Sequence, residues 1–254
     1  GYMPRELVLH RDVTILEVIC ASPCITSMIC GTLEVKYGSV FDEHTHMIEH
    51  RANMRALADA GCEAVMAVCS VGAIPNDFPP GKVALAEQYI DFTGKASTFH
   101  DGAAVFTSVT EPFDATINRR LSEVLRSVQE FSSSERMFYT YWLAQGPHFE
   151  TKAEIDAIDT LGGHMVGMTM PREAKLAREL KLPYVAVCIS SNWAAGREPG
   201  DSGADLDHHS VAALASCLIP MEKSKEAAPP KGTLKRALDA LRRAASRIAE
   251  LSIL

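Results

Sequence analysis

The chain contains no apolar run long enough to span a bilayer, and no signal-peptide pattern opens it. A membrane partner is therefore not expected, and the opening Gly1-Tyr2-Met3 reads as a trimmed end. It also lacks basic character: 25 Lys and Arg stand against 32 Asp and Glu, for a net charge of −7. A phosphate backbone calls for a basic face, so nucleic acid is excluded as the main partner. The seven cysteines do not form an even framework. Most lie in apolar stretches such as "AVMAVCS" and "YVAVCIS". They read as buried free thiols of a reducing compartment, and the cytoplasm is the expected location.

What is present is ordinary globular material. With 254 residues, 47% hydrophobic and 22% charged, the chain can bury one large core or two small ones. Short β-rich runs alternate with helical periodicity. Strands are expected over 12–20, 63–74, 81–93, 136–145, 164–170 and 183–191. Helices are expected over 47–62, 113–131, 151–162 and 172–182. The run at 63–74 is continuously apolar, the mark of a strand buried on both faces. Alternation of this kind predicts an α/β fold, a mixed β-sheet flanked by helices in a single domain over 1–220. Residues 221–232 read as a polar, Pro-containing linker. Over 233–254, Leu234, Leu238, Leu241, Ala245, Ile248 and Leu251 line one face of a packing helix.

The stretch "AQGPHFETKAEID" concentrates several signals. Gly146-Pro147 forces a turn, and Thr151-x-x-Glu154 is a capping box that starts a helix. Phe149 and Glu150 sit between turn and helix. Glu150 alone reads as a charge placed at the positive end of a helix; the sharper alternative is a ligand wall. Three other strand ends carry unusual residues: Ser70 and Gly72, Met168 and Thr169, Ser191 and Asn192. Singly, Met168 is core filler and Asn192 a turn former. In open α/β sheets ligands collect beyond strand ends, so their joint occurrence points to one site.

In this order the motifs resemble the purine nucleoside phosphorylase and methylthioadenosine phosphorylase family, trimeric type. "RANMRALADAGCEAVMAVCSVGAI", "PPGKVALAEQYIDFT" with "STFHDG", "GPHFETKAEI", "VGMTMPREAKLARE" and "ISSNWAAG" carry the resemblance. The last is similar to the version in members acting on 6-oxopurines, methylthioinosine phosphorylases included. The resemblance implies a pentosyltransferase that cleaves the N-glycosidic bond of 6-oxopurine nucleosides, 5′-methylthio analogues among them, with phosphate. Asn192 would bond N7 and O6 of the departing purine, and Glu150 would accept its N1–H. Tyr141 and Phe149 would flank base and sugar, Met168 would lie under the ribose, and His208 near the 5′ substituent. Thr169, Ser70 and His44 would contact phosphate, which is a co-substrate; no cofactor and no metal are implied. The expected assembly is a homotrimer.

Two departures from the family pattern stand out. Only Gly31 occurs before Tyr37 apart from the first residue, so the usual glycine-rich phosphate loop is missing. In "FDEHTHMIEH", Glu43 occupies the place of a phosphate-binding Arg. A carboxylate beside a dianion weakens binding unless another cation compensates, with Lys36 and Arg51 as candidates. Two alternatives therefore accompany the phosphorylase reading: a nucleosidase that uses water, and a catalytically impaired homologue that binds or scaffolds. His46 and His50, four residues apart near His44 and Glu43, permit a metal site, but the preferred reading is surface or loop histidines.

Overall fold

A computed structural model of the chain describes residues 16–17 and 48–206, apart from 60, 103, 130–133 and 205. The linker at 221–232 and the helix at 233–254 expected from sequence lie outside the described residues, as do His44, His46, Glu43, Lys36 and His208. The strands are β1 (Leu16–Glu17), β2 (Val65–Ala73), β3 (Val83–Asp91), β4 (Phe138–Leu143), β5 (Met165–Gly167) and β6 (Tyr184–Trp193). The helices are α1 (His50–Asp59), α2 (Ala115–Gln129), α3 (Lys152–Thr160) and α4 (Met170–Glu179).

The sheet is mixed, as the alternation predicts, and it closes on itself. β2 pairs β5 antiparallel, β5 pairs β4 parallel, β4 pairs β3 parallel and β3 pairs β6 antiparallel. β6 then returns to β2 in a long parallel ladder from Val65↔Tyr184 to Ala73↔Trp193. Closure leaves those five strands without an open edge. β1 pairs with β2 on the Ala67 and Met66 positions.

Period-two alternation decides which helix covers which face. Cys69, Val71, Ala73, Tyr139, Tyr141, Ala186 and Cys188 pack in one cluster with Met54 and Leu57 of α1 and Met170, Ala174 and Ala177 of α4. The alternate residues Met66, Val68, Val185, Val187 and Ile189 pack with Leu121 and Leu125 of α2. β2 is thus buried on both faces, as its apolar run predicts, with one exception: Ser70 is exposed. A third cluster positions the site. Ile74 after β2, Ala144 after β4, Val166 of β5 and Ala194 after β6 pack against Ile155 and Ile158 of α3, with Trp142, Met168 and Ala195 at its margin. Four motif-bearing strand ends therefore meet beneath one short helix.

Candidate functional site

Helix α3 starts where the capping box places it. Thr151 Oγ1 accepts from the Glu154 N–H at 3.2 Å, and the Thr151 N–H donates to Glu154 Oε2 at 2.7 Å. The chain reaches this cap through Gly146, whose φ of +65° favours glycine. Phe149 and Glu150 are held between turn and cap. Both line a cavity of about 540 Å³ together with Phe92, Trp142, His148 and Leu161. Burial pushes the Glu150 carboxyl above the ordinary carboxylate range; a hydrogen bond from its own backbone works against this, and the Glu154 charge adds to it. Phe149 is 38% exposed and Phe92 72%, so the cavity has an aromatic rim open to solvent. Phe92 and Trp142 escape a sequence reading. They sit on neighbouring strand ends, Phe92 just beyond β3 and Trp142 within β4, and meet edge to face at 5.3 Å only after β3 and β4 pair.

Asn192 is placed by a bulge. The ladder between β2 and β6 runs Val71↔Ser190 and then Gly72↔Asn192, leaving Ser191 as the extra residue. The Ser191 hydroxyl lies 2.7 Å from Asn192 Oδ1, to which it donates, and 3.1 Å from Val71 O. Asn192 Nδ2 donates to Trp193 O at 2.7 Å. An amide nitrogen carries two N–H donors. One is committed to the backbone, and the hydroxyl contact fixes which way the amide faces. Gly72 lets the strands approach here, since a Cβ on it would lie 3.1 Å from Val166 Cγ1 and 3.4 Å from Asn192 Nδ2.

The remaining predicted residues distribute as follows. Ser70, two residues before Gly72, is the exposed position of β2. Met168 and Thr169 follow β5, Met168 partly buried at the edge of the strand-end cluster and Thr169 buried. Thr169 is the N-cap of α4, yet its side chain makes no capping bond. Tyr141 is 1% exposed, and a Cβ on Gly167 would lie 2.1 Å from its hydroxyl oxygen. Its phenol is pushed well up by burial and by Cys69 and Cys188, with bonds to Thr169 partly offsetting the rise. Tyr141 therefore stands buried behind Thr169 and Gly167. Ser70, Tyr141, Met168, Thr169 and Asn192 do not line the 540 Å³ cavity; of these, Met168 packs against the strand-end cluster that Ile158 and Ala144 share with the cavity wall.

His50 corrects an expectation. It is not a surface residue: it is buried at the start of α1, with Nδ1 3.4 Å from Glu173 Oε1. Glu173 is buried as well and accepts from the Tyr184 hydroxyl at 2.9 Å. Arg51, one candidate for the missing phosphate cation, is bound instead to Asp101 at 2.6 Å on an exposed surface. Among the described residues no cluster of three His, Cys, Asp or Glu side chains suits a metal ion.

A family model for the phosphorylase superfamily matches residues 17–220. The chain belongs to the phosphorylase superfamily. It is 38% identical over 159 residues to a probable S-methyl-5′-thioinosine phosphorylase of Methanothermobacter thermautotrophicus, covering 62% of this chain and 54% of that protein. It is 36% identical over 203 residues to a 6-oxopurine nucleoside phosphorylase of Pyrococcus furiosus, covering 75% of this chain and 74% of the relative. The match thus spans little more than half of the first relative's length. A methylthioadenosine phosphorylase sourced from an Antarctic soil metagenomic library shares the fold, with a TM-score of 0.65, 22% identity, and coverage of 84% of this chain and 69% of that one. The nucleoside phosphorylase-like α/β fold anticipated from the motifs is thereby established.

Proposed function

We propose that this superfamily member is a pentosyltransferase that cleaves 6-oxopurine nucleosides, 5′-methylthio analogues included, by phosphorolysis. The observation that carries the reading is convergence. The ends of β2, β4, β5 and β6 pack on one apolar cluster under α3, with Met168 at its margin, Glu150 just ahead of α3, Thr169 after β5, and Ser70 and Asn192 within β2 and β6. The relatives named for S-methyl-5′-thioinosine and 6-oxopurine nucleosides support the substrate class.

Each residue has a chemical task in this reading. Phosphate attacks C1′ while the C–N bond to the purine breaks, and negative charge develops on the leaving base. The second Nδ2–H of Asn192 donates to N7, a contact that strengthens as the base departs and so lowers the barrier. The Glu150 carboxylate accepts N1–H, which only a 6-oxopurine offers. Phe149 presents an aromatic face to the ring. Met168 supports the sugar, with Tyr141 beneath, and Thr169 and Ser70 donate hydroxyls to phosphate. His208 and His44, assigned to the 5′ group and to phosphate, lie outside the described residues.

The assembly we propose is a homotrimer. Exposed Phe92, Phe149 and Leu161 leave large apolar surface around the cavity rim, of the sort that oligomers cover. Buried Cys69 and Cys188, free thiols, fit a reducing cytoplasm, and no described helix is long and apolar enough to cross a membrane. The test is release of hypoxanthine from inosine and from methylthioinosine, with and without phosphate. Phosphate-dependent release is expected. Release independent of phosphate would make the protein a nucleosidase, and purine binding without release would make it a binding homologue.

A further inference from the structure

The first turn of α4 buries a cation that meets no counter-charge among the described residues. Arg172 is only 3% exposed. Its Nη1 donates to Met168 O at 2.8 Å, which folds the side chain back over the N-terminal end of the helix. Its Nε has no hydrogen-bond partner. Other basic side chains behave differently: Arg51, Lys82, Lys175 and Arg197 each reach a carboxylate. Among the described residues, none pairs with Arg172. The neighbouring acid Glu173 is engaged by Tyr184 and His50. A guanidinium withdrawn from water without an anion is strongly unfavourable, so its burial is best satisfied by a bound oxyanion.

The surroundings suit such an ion. Thr169 lies three residues earlier, buried; its side chain makes no capping bond and bonds to the Tyr141 hydroxyl instead. The leading N–H groups of the helix add the positive end of its dipole. The guanidinium and the start of α4 therefore meet at Met168, with Thr169 and the buried Tyr141 next to it.

We infer that Arg172 is the cation of this protein's phosphate site, binding inorganic phosphate together with Thr169 and the start of α4. The inference rests on the phosphorolytic reading in taking phosphate as the co-substrate. It accounts for Glu43: the charge expected near residue 43 is supplied from a helix far along the chain.

Thermal unfolding of the full chain against inorganic phosphate, at ionic strength held constant with chloride, tests the site without turnover. A ligand that binds only the folded form raises Tm with its concentration. The unmodified protein should respond. In Arg172→Met the phosphate concentration for half-response should rise on the order of 30-fold, the loss expected for one charge-assisted fork. The apparent KM for phosphate should rise in parallel, with the KM for inosine moving by no more than a few-fold. Should Arg172→Met not fold, Arg172→Lys decides, because loss of the planar fork should still raise the half-response several-fold. No phosphate response in the unmodified protein, or an unchanged half-response in the variant that folds, overturns the inference. A response that depends on Arg172 in a protein that does not cleave inosine upholds the site and refutes phosphorolysis.

Discussion

The two halves of the candidate site are built from different material. In the half proposed to face the base, Phe149–Glu150 is fixed by contacts spanning a few residues, a capping box and a turn glycine, whereas Ser191–Asn192 depends on a bulge against β2. The half proposed to face the anion depends on the burial of a long side chain from α4 folded back onto Met168 O. Geometry written into a few adjacent residues survives translation from sequence to structure. A charge whose meaning depends on burial does not, because an Arg in the first turn of a helix reads in sequence as solvated surface.

The largest effect that separates the halves belongs to Asn192. Replacing it with Ala removes the donor proposed to meet the leaving base, and losing one such donor typically raises the barrier by ~3 kcal/mol. The kcat for inosine should fall by a factor on the order of 100, with the binding of hypoxanthine changed far less. The phosphate half-response in thermal unfolding should stay as it was, since Arg172 lies on another element. If turnover stays within a few-fold, Asn192 is not the leaving-group contact. If phosphate binding falls together with kcat, the two halves are one coupled network.

Glu150 gives a smaller effect with a distinctive pH signature. Its carboxyl is raised chiefly by burial, and only the ionised form accepts N1–H. The kcat/KM for inosine should therefore fall as pH drops through this raised value, giving an acid limb above the usual carboxylate range. Stability runs the other way. A carboxyl whose folded pKa exceeds its unfolded one binds its proton more tightly when folded. Its contribution to stability is complete below the unfolded pKa and is lost as pH rises through the folded one. Activity rising while Tm declines across the same window would identify this group. Glu150→Gln should erase both trends and lower kcat/KM about 10-fold, the scale of one charge-assisted hydrogen bond. Unchanged preference for inosine over adenosine in that variant would remove Glu150 from the base edge.

Local patterns made most of the fold legible. The apolar run of β2, the alternation in β4 and the cap of α3 each follow from neighbours in the chain. Closure of the strands did not, because the β2–β6 ladder joins residues over a hundred positions apart and nothing local specifies it. The same long-range packing explains His50. Four-residue spacing from His46 permitted a metal site and surface or loop histidines were the preferred reading, but α1 turns His50 toward Glu173 on α4 and buries both. The cavity wall made by Phe92 and Trp142 likewise exists only after β3 and β4 pair. Asn192 was readable as a residue type at a strand end; its orientation, set by the Ser191 bulge, was not.

The smallest effect tests how tightly the base-facing half is tied to its cap. Thr151→Ala removes the acceptor for the Glu154 N–H and the hydroxyl donated to Glu154 Oε2. Loss of an N-cap of this kind typically costs ~1 kcal/mol. The urea midpoint should fall with an unchanged slope, because the surface exposed on unfolding is the same. Glu150 directly precedes this cap, and α3 holds the strand ends through Ile155 and Ile158. A loosened first turn should therefore raise the KM for inosine a few-fold while leaving the phosphate half-response untouched. Thr151→Ser, which keeps both bonds, should restore the midpoint and the KM together. A drop in midpoint with an unmoved KM would show that the Gly146–Pro147 turn and the strand-end cluster hold Phe149 and Glu150 by themselves, and that the capping box serves the helix alone.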